Sequence, residues 1–276
     1  MAAADPRLTR PLLLVGCGRM GGAMLSGWLE SGIAGAGVAV VDPLGAPDFA
    51  DSKQVKVYGS MDALPGDLDP EVVVFAVKPQ QMDEAAPAAA RFAGPDTVFL
   101  SIAAGKPIRY FAGHLGPDAA IVRAMPNTPA AIGQGITVAC PSAAVPEAQF
   151  AICTSLLAAV GEVLPVDDEA LIDPVTAVSG SGPAYVFLLI ECLGEAGVEA
   201  GLPRDLAARL ALVTVAGAGQ LALRGDDAPA QLRKNVSSPG GTTQAALDIL
   251  MAKNGLQPLM TRAVAAATRR GRELAD

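Results

Sequence analysis

Aromatic side chains are scarce. Seven Phe, three Tyr and one Trp amount to 4% of 276 residues, within a chain that is 51% hydrophobic. The core is therefore expected to be aliphatic, and the composition suits packed α/β or helical structure rather than disorder. Charge is also sparse, at 17%, with a net balance of −8. No run of Lys and Arg stands out. The densest, Thr268-Arg269-Arg270-Gly271-Arg272, closes a helical pattern, where cations complement the helix dipole. Nucleic acid is thus not an expected partner, since binding it takes a basic patch. Cysteine is limited to Cys17, Cys140, Cys153 and Cys192, with no CxxC pair and no His near any of them. That argues against a metal site and for a reduced, cytoplasmic protein. The opening MAAADPRLTRP lacks the apolar core of a secretory leader. The longest apolar stretch, 206–223, is broken by Arg209, Thr214 and Gln220. A membrane span takes roughly 20 nearly uncharged residues, so a helix buried on all sides, as in a subunit interface, fits better.

What is present is alternation. Short aliphatic runs at 11–15, 38–41, 55–58, 71–77, 97–102 and 120–124 are separated by helical patterns such as 80–92. Strand–helix–strand order implies a parallel sheet with right-handed crossovers. Runs at 135–140 and 162–166 read as later strands, with a helix at 147–160 between them. After residue 167 the β pattern stops. Segments 169–178, 183–200, 204–224, 229–235, 240–253 and 256–274 all read as helices, punctuated by Pro or Gly. An α/β domain at 1–167 and an all-α domain at 168–276 are expected. The helical part carries long apolar faces on few residues and gains by burying them against a second copy.

The first loop carries chemistry. Gly16-Cys17-Gly18-Arg19-Met20-Gly21 is G-x-G-x-x-G directly after a strand and opening a helix. Gly16 permits a tight turn, Gly18 admits a pyrophosphate and Gly21 allows close helix–strand packing; free amides and the helix dipole hold the phosphates. Cys17 reads as a small packing residue. Asp42 follows at about the spacing, roughly 20 residues, of an acid that accepts ribose hydroxyls. A carboxylate there repels a 2′-phosphate, which favours NAD over NADP; alternatively Asp42 caps the turn before Pro43. Ala76-Val77-Lys78-Pro79 and Met125-Pro126-Asn127-Thr128-Pro129 end strands at the edge where open α/β sheets bind ligands. Lys78 either lines the cofactor cleft or is a solvated loop lysine. Asn127 either meets the nicotinamide or ribose, or is a turn residue.

A proton-relay histidine is missing. The one His, His114, reads as a surface residue at a helix end. A substrate group that needs little help from such a base, such as C=N, is the natural counterpart. Two glycine- and hydroxyl-rich helix starts, Ser179-Gly180-Ser181-Gly182-Pro183 and Ser238-Pro239-Gly240-Gly241-Thr242-Thr243, offer amides and hydroxyls to an anion such as a carboxylate. Ordinary capping explains one Ser and one Pro in each, but not the Gly-Gly-Thr-Thr. A hydroxyacid dehydrogenase needs a Lys or His on the helices after the sheet, and 183–200 has neither. A protein that senses NAD(H) without chemistry has no use for the second anion site.

The segments VGCGRMGGAM, VVVFAVKPQQM, SIAAGKPI, RAMPNTPAAIGQG, LIDPVTAVSGSGPAYVF and KNVSSPGGTTQAALDIL, in that order, resemble the pyrroline-5-carboxylate reductase family along nearly the whole chain. The resemblance implies a Rossmann-like dinucleotide-binding domain followed by an all-α dimerisation domain. It implies reduction of 1-pyrroline-5-carboxylate to L-proline with NAD(P)H, the last step of proline biosynthesis, by a homodimer commonly assembled into decamers. Carried onto this sequence, it places the pyrophosphate on Gly16 to Gly21 and the adenosine side on Ala76, Val77, Lys78, Pro79, Ala103 and Ala104. Asn235 touches cofactor near the substrate. Glu169, Ser179, Gly180, Ser181, Ser238, Gly241, Thr242 and Thr243 surround the substrate, with Thr243 the catalytic group that hydrogen-bonds the imine. Many relatives follow the second strand with a small polar residue and an arginine suited to the NADP phosphate; here Val41-Asp42-Pro43 stands instead, which favours NADH.

Overall fold

A computed structural model describes residues 7–274; residues 1–6 and the last two lie outside the described residues. Strands β1 (Leu12–Val15), β2 (Val38–Val41), β3 (Val55–Tyr58), β4 (Val72–Phe75), β5 (Val98–Ser101), β6 (Ala120–Met125), β7 (Gly135–Pro141) and β8 (Gly161–Pro165) form one sheet in the order β3-β2-β1-β4-β5-β6-β7-β8. Every residue of β1, β2, β4 and β5 is buried, because helices cover both faces of a parallel sheet and its central strands meet no water. On one face, α1 (Arg19–Ser31) and α4 (Glu147–Ala158) pack Met24, Leu25, Trp28, Leu156 and Leu157 against Leu12, Leu14, Val40 and Val72. The Trp28 indole N–H donates to the Leu156 carbonyl at 2.8 Å, which satisfies the one polar atom of that side chain. On the other face, α2 (Met82–Ala89) and α3 (Ile108–Leu115) bury Met82, Ala86 and Phe111 against Val73, Phe75 and Phe99. The Phe75 and Phe111 rings stack at 5.4 Å.

Neighbours of β1 are β2 on one side and β4 on the other, with β1 parallel to both. The strand order therefore reverses between β1 and β4. Their C-terminal loops, 16–18 and 76–79, open the crevice where such sheets take ligands. One expectation needs correction. The sheet is not wholly parallel: β7 runs antiparallel to β6, pairing Arg123 with Cys140. The link 126–134 holds only the short turn Thr128–Ile132, too little chain for a crossover, which takes a dozen or more residues. The chain then returns through α4 to a parallel β8.

Beyond the sheet, the helix expected at 169–178 is broken into three pieces. A 3-10 turn (Glu169–Leu171), α5 (Ile172–Val175) and a π turn (Thr176–Gly180) follow one another. There follow α6 (Gly182–Glu199), α7 (Arg204–Arg224), α8 (Pro229–Asn235), α9 (Thr242–Leu250) and α10 (Leu256–Glu273). Two compact units result, 7–180 with 267–274, and Ser181–Ala266. Composition changes at 168 but compaction changes at 181, because Ile172 packs on Val138 and Cys140 at the sheet. In the second unit α6 and α7 approach closely through small residues: a Cβ on Gly197 would lie 3.1 Å from that of Ala207. Their remaining apolar surface is exposed, including Phe187, Leu188, Leu210, Val213, Leu221 and Leu223. By length and composition alone, two helical stretches, Glu169–Glu199 and Arg204–Arg224, reach the membrane-span criterion.

Candidate functional site

The glycine loop takes its shape from contacts a side chain would destroy. Gly16 has φ +95°, and a Cβ there would fall 2.8 Å from the Val77 amide nitrogen. On Gly21 it would fall 2.2 Å from the Gly16 carbonyl. Gly18 has nothing within 4 Å of a built Cβ, so the side of the loop facing the crevice is open. Gly18 is also the N-cap of α1 and brings no side-chain cap. The first intrahelical bond runs from the Gly22 amide to the Gly18 carbonyl at 2.7 Å. The amides of Arg19, Met20 and Gly21 are thus the unpaired donors of a helix start, at its positive end. That combination fits a dinucleotide pyrophosphate.

Cys17 departs from the expected pattern. Its amide donates to Asp42 Oδ2 at 2.7 Å, so this N–H serves the protein rather than a phosphate. Burial, with Asp42 and then Asp48 nearby, pushes the thiol up to about 11, and it stays protonated at neutral pH. Asp42 Oδ1 accepts from the Leu44 amide at 2.9 Å. The carboxylate therefore does cap its turn, and it braces the glycine loop as well. Each oxygen retains a lone pair for a ribose hydroxyl. Lys78 is exposed, and among the described residues its ammonium has no ion-pair partner. Ala103 is buried and Ala104 half-buried beyond β5. Asn127 Oδ1 accepts from the Ile136 amide at 3.0 Å, tying its loop to β7 and leaving the side-chain NH2 as donor.

A second cluster was not foreseen. Arg123 is the one charged side chain of β6 and is 4% exposed. A buried guanidinium persists only when paired. Its Nη1 donates to Glu169 Oε1 at 2.9 Å and Nη2 to Asp173 Oδ1 at 3.4 Å; Nε has no partner. The same Glu169 oxygen accepts the Ile108 amide at 2.8 Å, at the start of α3. Removing one member of a buried pair costs about 3–5 kcal/mol. The sequence does carry a signal, a lone Arg inside the apolar run Ala120-Ile121-Val122-Arg123-Ala124-Met125. Its partners lie 46 and 50 positions later. Farther along, a Cβ on Gly180 would lie 2.6 Å from Met125 Cε, and the Ser179 hydroxyl is buried with no partner.

Within the second unit, the start of α9 differs from expectation. Ser238 and Pro239 do not begin the helix. Ser238-Pro239-Gly240-Gly241 is a type II turn, closed by the Gly241 amide to the Ser238 carbonyl at 3.0 Å. Gly240 takes φ +70°, and Gly241 is the N-cap with no side-chain cap. A Cβ on Gly241 would strike Ser238 Oγ at 2.4 Å. Thr242 and Thr243 are then the first two helical residues, with hydroxyls beside unpaired amides. At the other glycine-rich start, Ser181 caps α6 without a side-chain bond. Asn235 is committed locally, accepting from Gln231 at 2.7 Å and donating to Asp227 at 3.2 Å.

A curated pyrroline-5-carboxylate reductase of Pseudomonas aeruginosa is 41% identical over 97% of this chain and 98% of its own length. The chain belongs to the pyrroline-5-carboxylate reductase family. Relatives of the same name from Synechocystis, 41% identical, and Arabidopsis thaliana, 37%, each match 95% of this chain, and 97% and 94% of their own. The family model for pyrroline-5-carboxylate reductase dimerisation matches 169–274, and one for F420-dependent NADP oxidoreductases matches 12–105. Among solved structures, the Coxiella burnetii family member superposes with TM-score 0.88 at 34% identity, covering 98% of this chain and all of that one. A Plasmodium falciparum member, solved with NADP bound, gives 0.81 at 28%, with 98% and 100% covered. The match to the dimerisation model spans α6 and α7, whose apolar faces are exposed.

Proposed function

We propose that this chain reduces the C=N bond of 1-pyrroline-5-carboxylate to L-proline, the last step of proline biosynthesis. One observation carries the reading. The turn 238–241 delivers two unpaired amides and two threonine hydroxyls to one helix start, a site matched to a small carboxylate rather than to the dinucleotide already served by the glycine loop. A bound nicotinamide supplies the hydride. The chain's own residues bind and orient. Gly16, Gly18, Arg19, Met20 and Gly21 receive the pyrophosphate, and Val77, Lys78, Pro79, Ala103 and Ala104 line the adenosine side. Ser238, Gly241 and Thr242 hold the substrate carboxylate. Segment 179–181 is read as substrate-binding as well, and its buried Ser179 hydroxyl has no partner among the described residues. Thr243 hydrogen-bonds the ring nitrogen. The protonated imine carries its own activation, so positioning and fixed dipoles suffice and no histidine base is required.

Asp42 supports NADH as the preferred cofactor: its carboxylate is fixed beside the glycine loop, where a 2′-phosphate would meet like charge. The unpaired apolar faces of α6 and α7 support a homodimer built further into a decamer, and the reduced cysteines support a cytoplasmic location. The test is a side-by-side assay of NADH and NADPH oxidation with pyrroline-5-carboxylate. Turnover with both and a higher kcat/KM for NADH is expected. No turnover with either overturns the reading, and a preference for NADPH overturns the role of Asp42.

A further inference from the structure

We infer that Glu169 and Asp173 act as positioning residues, held by the buried Arg123, and that Glu169 does not itself bind substrate. This rests on the reading of 179–181 as part of the substrate site. Glu169 Oε1 already takes two donors, Arg123 Nη1 and the Ile108 amide, while Asp173 takes Arg123 Nη2. Both acids stand on the short stretch that leads into the π turn and so to Ser179 and Gly180. Strand β6 grips that stretch at two points on one side: Arg123 holds its beginning, and Met125, two residues along, fills the space left by Gly180 at its end. A π turn closes i→i+5 bonds in place of the i→i+4 ladder and is rare outside functional sites, so these contacts from β6 help set its path. The Ile108 bond extends the grip to α3, which follows the Ala103-Ala104 loop. One guanidinium thus fixes the substrate segment, and one carboxylate links that segment to the cofactor loop.

The test compares Glu169→Gln, Glu169→Ala and Asp173→Asn in the full-length enzyme. Gln keeps an oxygen for both donors, so its KM values should stay within about threefold of wild type. Ala removes the bridge; about a tenfold or greater rise in substrate KM is expected, with kcat falling less and the cofactor KM rising too. Asp173→Asn should raise substrate KM alone, because Asp173 does not touch Ile108. Hydrogen exchange at 172–181 should quicken in Glu169→Ala and stay near wild type in Glu169→Gln. An equal rise in substrate KM for Gln and Ala would show a direct charge contact and overturn the inference. Unchanged KM values in Ala would overturn it as well. Should wild type fail to turn over pyrroline-5-carboxylate, the functional reading falls by itself; exchange at 172–181 and NADH affinity then still report on the Glu169 bridge.

Discussion

Thr243 stands at the second position of α9, with its own amide unpaired, and the proposed chemistry asks it for one hydrogen bond to a charged ring. Such a bond contributes about 1.5–3 kcal/mol, so Thr243→Ala should lower kcat/KM by about 10- to 100-fold while the melting temperature moves by only about 2 °C. Equal loss of rate and stability would make Thr243 structural. The thiols yield a different test. Burial raises the Cys153 and Cys140 thiols, and Cys17 reaches about 11, above their ordinary value of 9.0. A raised thiol pKa means the unfolded chain loses protons first as pH rises. Stability from Cys17 is full below pH 9 and is lost toward pH 11, so a Cys17→Ala variant should lose less over that window when melting is followed against pH. The glycine loop was legible residue by residue, because each glycine has a separate steric reason. Arg123 was not legible, because a buried charge shows its purpose only through partners distant in sequence.

Glycine turns are where elements and function meet. Gly240 at φ +70° is the hinge of the type II turn that presents Thr242 and Thr243. An alanine there is strained by about 1–2 kcal/mol. Gly240→Ala should raise substrate KM while leaving NADH affinity unchanged, as read by fluorescence titration. Gly21→Ala should do the reverse, since its Cβ would drive into the Gly16 carbonyl and displace the loop. Continuous apolar runs made the buried strands readable, and Pro and Gly punctuation bounded most helices. The antiparallel turn of β7 escaped because periodicity is blind to strand direction; only the shortness of 126–134 betrays it. The π turn escaped because it has no side-chain pattern of its own. The turn 238–241 is hidden within the helix start because proline serves equally well at a first helical turn and at the second position of a β-turn.

At the scale of the whole molecule, a single copy leaves the apolar faces of α6 and α7 in water. Faces of this kind mark interfaces. The dimerisation model of the family spans both helices, which supports a second copy as their cover. Light scattering should give at least twice the mass of one chain. Leu188→Glu with Leu210→Glu should reduce both mass and activity; a fully active monomer would contradict the dimer as the working form. The two-part organisation was legible from composition alone. The placement of 168–180 with the sheet was not, since it depends on Ile172 and the Arg123 ion pairs. The measurement that goes most directly to the chemistry follows the hydrogen itself. Pyrroline-5-carboxylate is reduced with NADH carrying deuterium at both hydrogens of nicotinamide C4, and the product is analysed by mass spectrometry. L-Proline carrying one deuterium on the former C=N carbon is the expected result. Proline without deuterium, or no proline at all, would contradict hydride reduction of the imine.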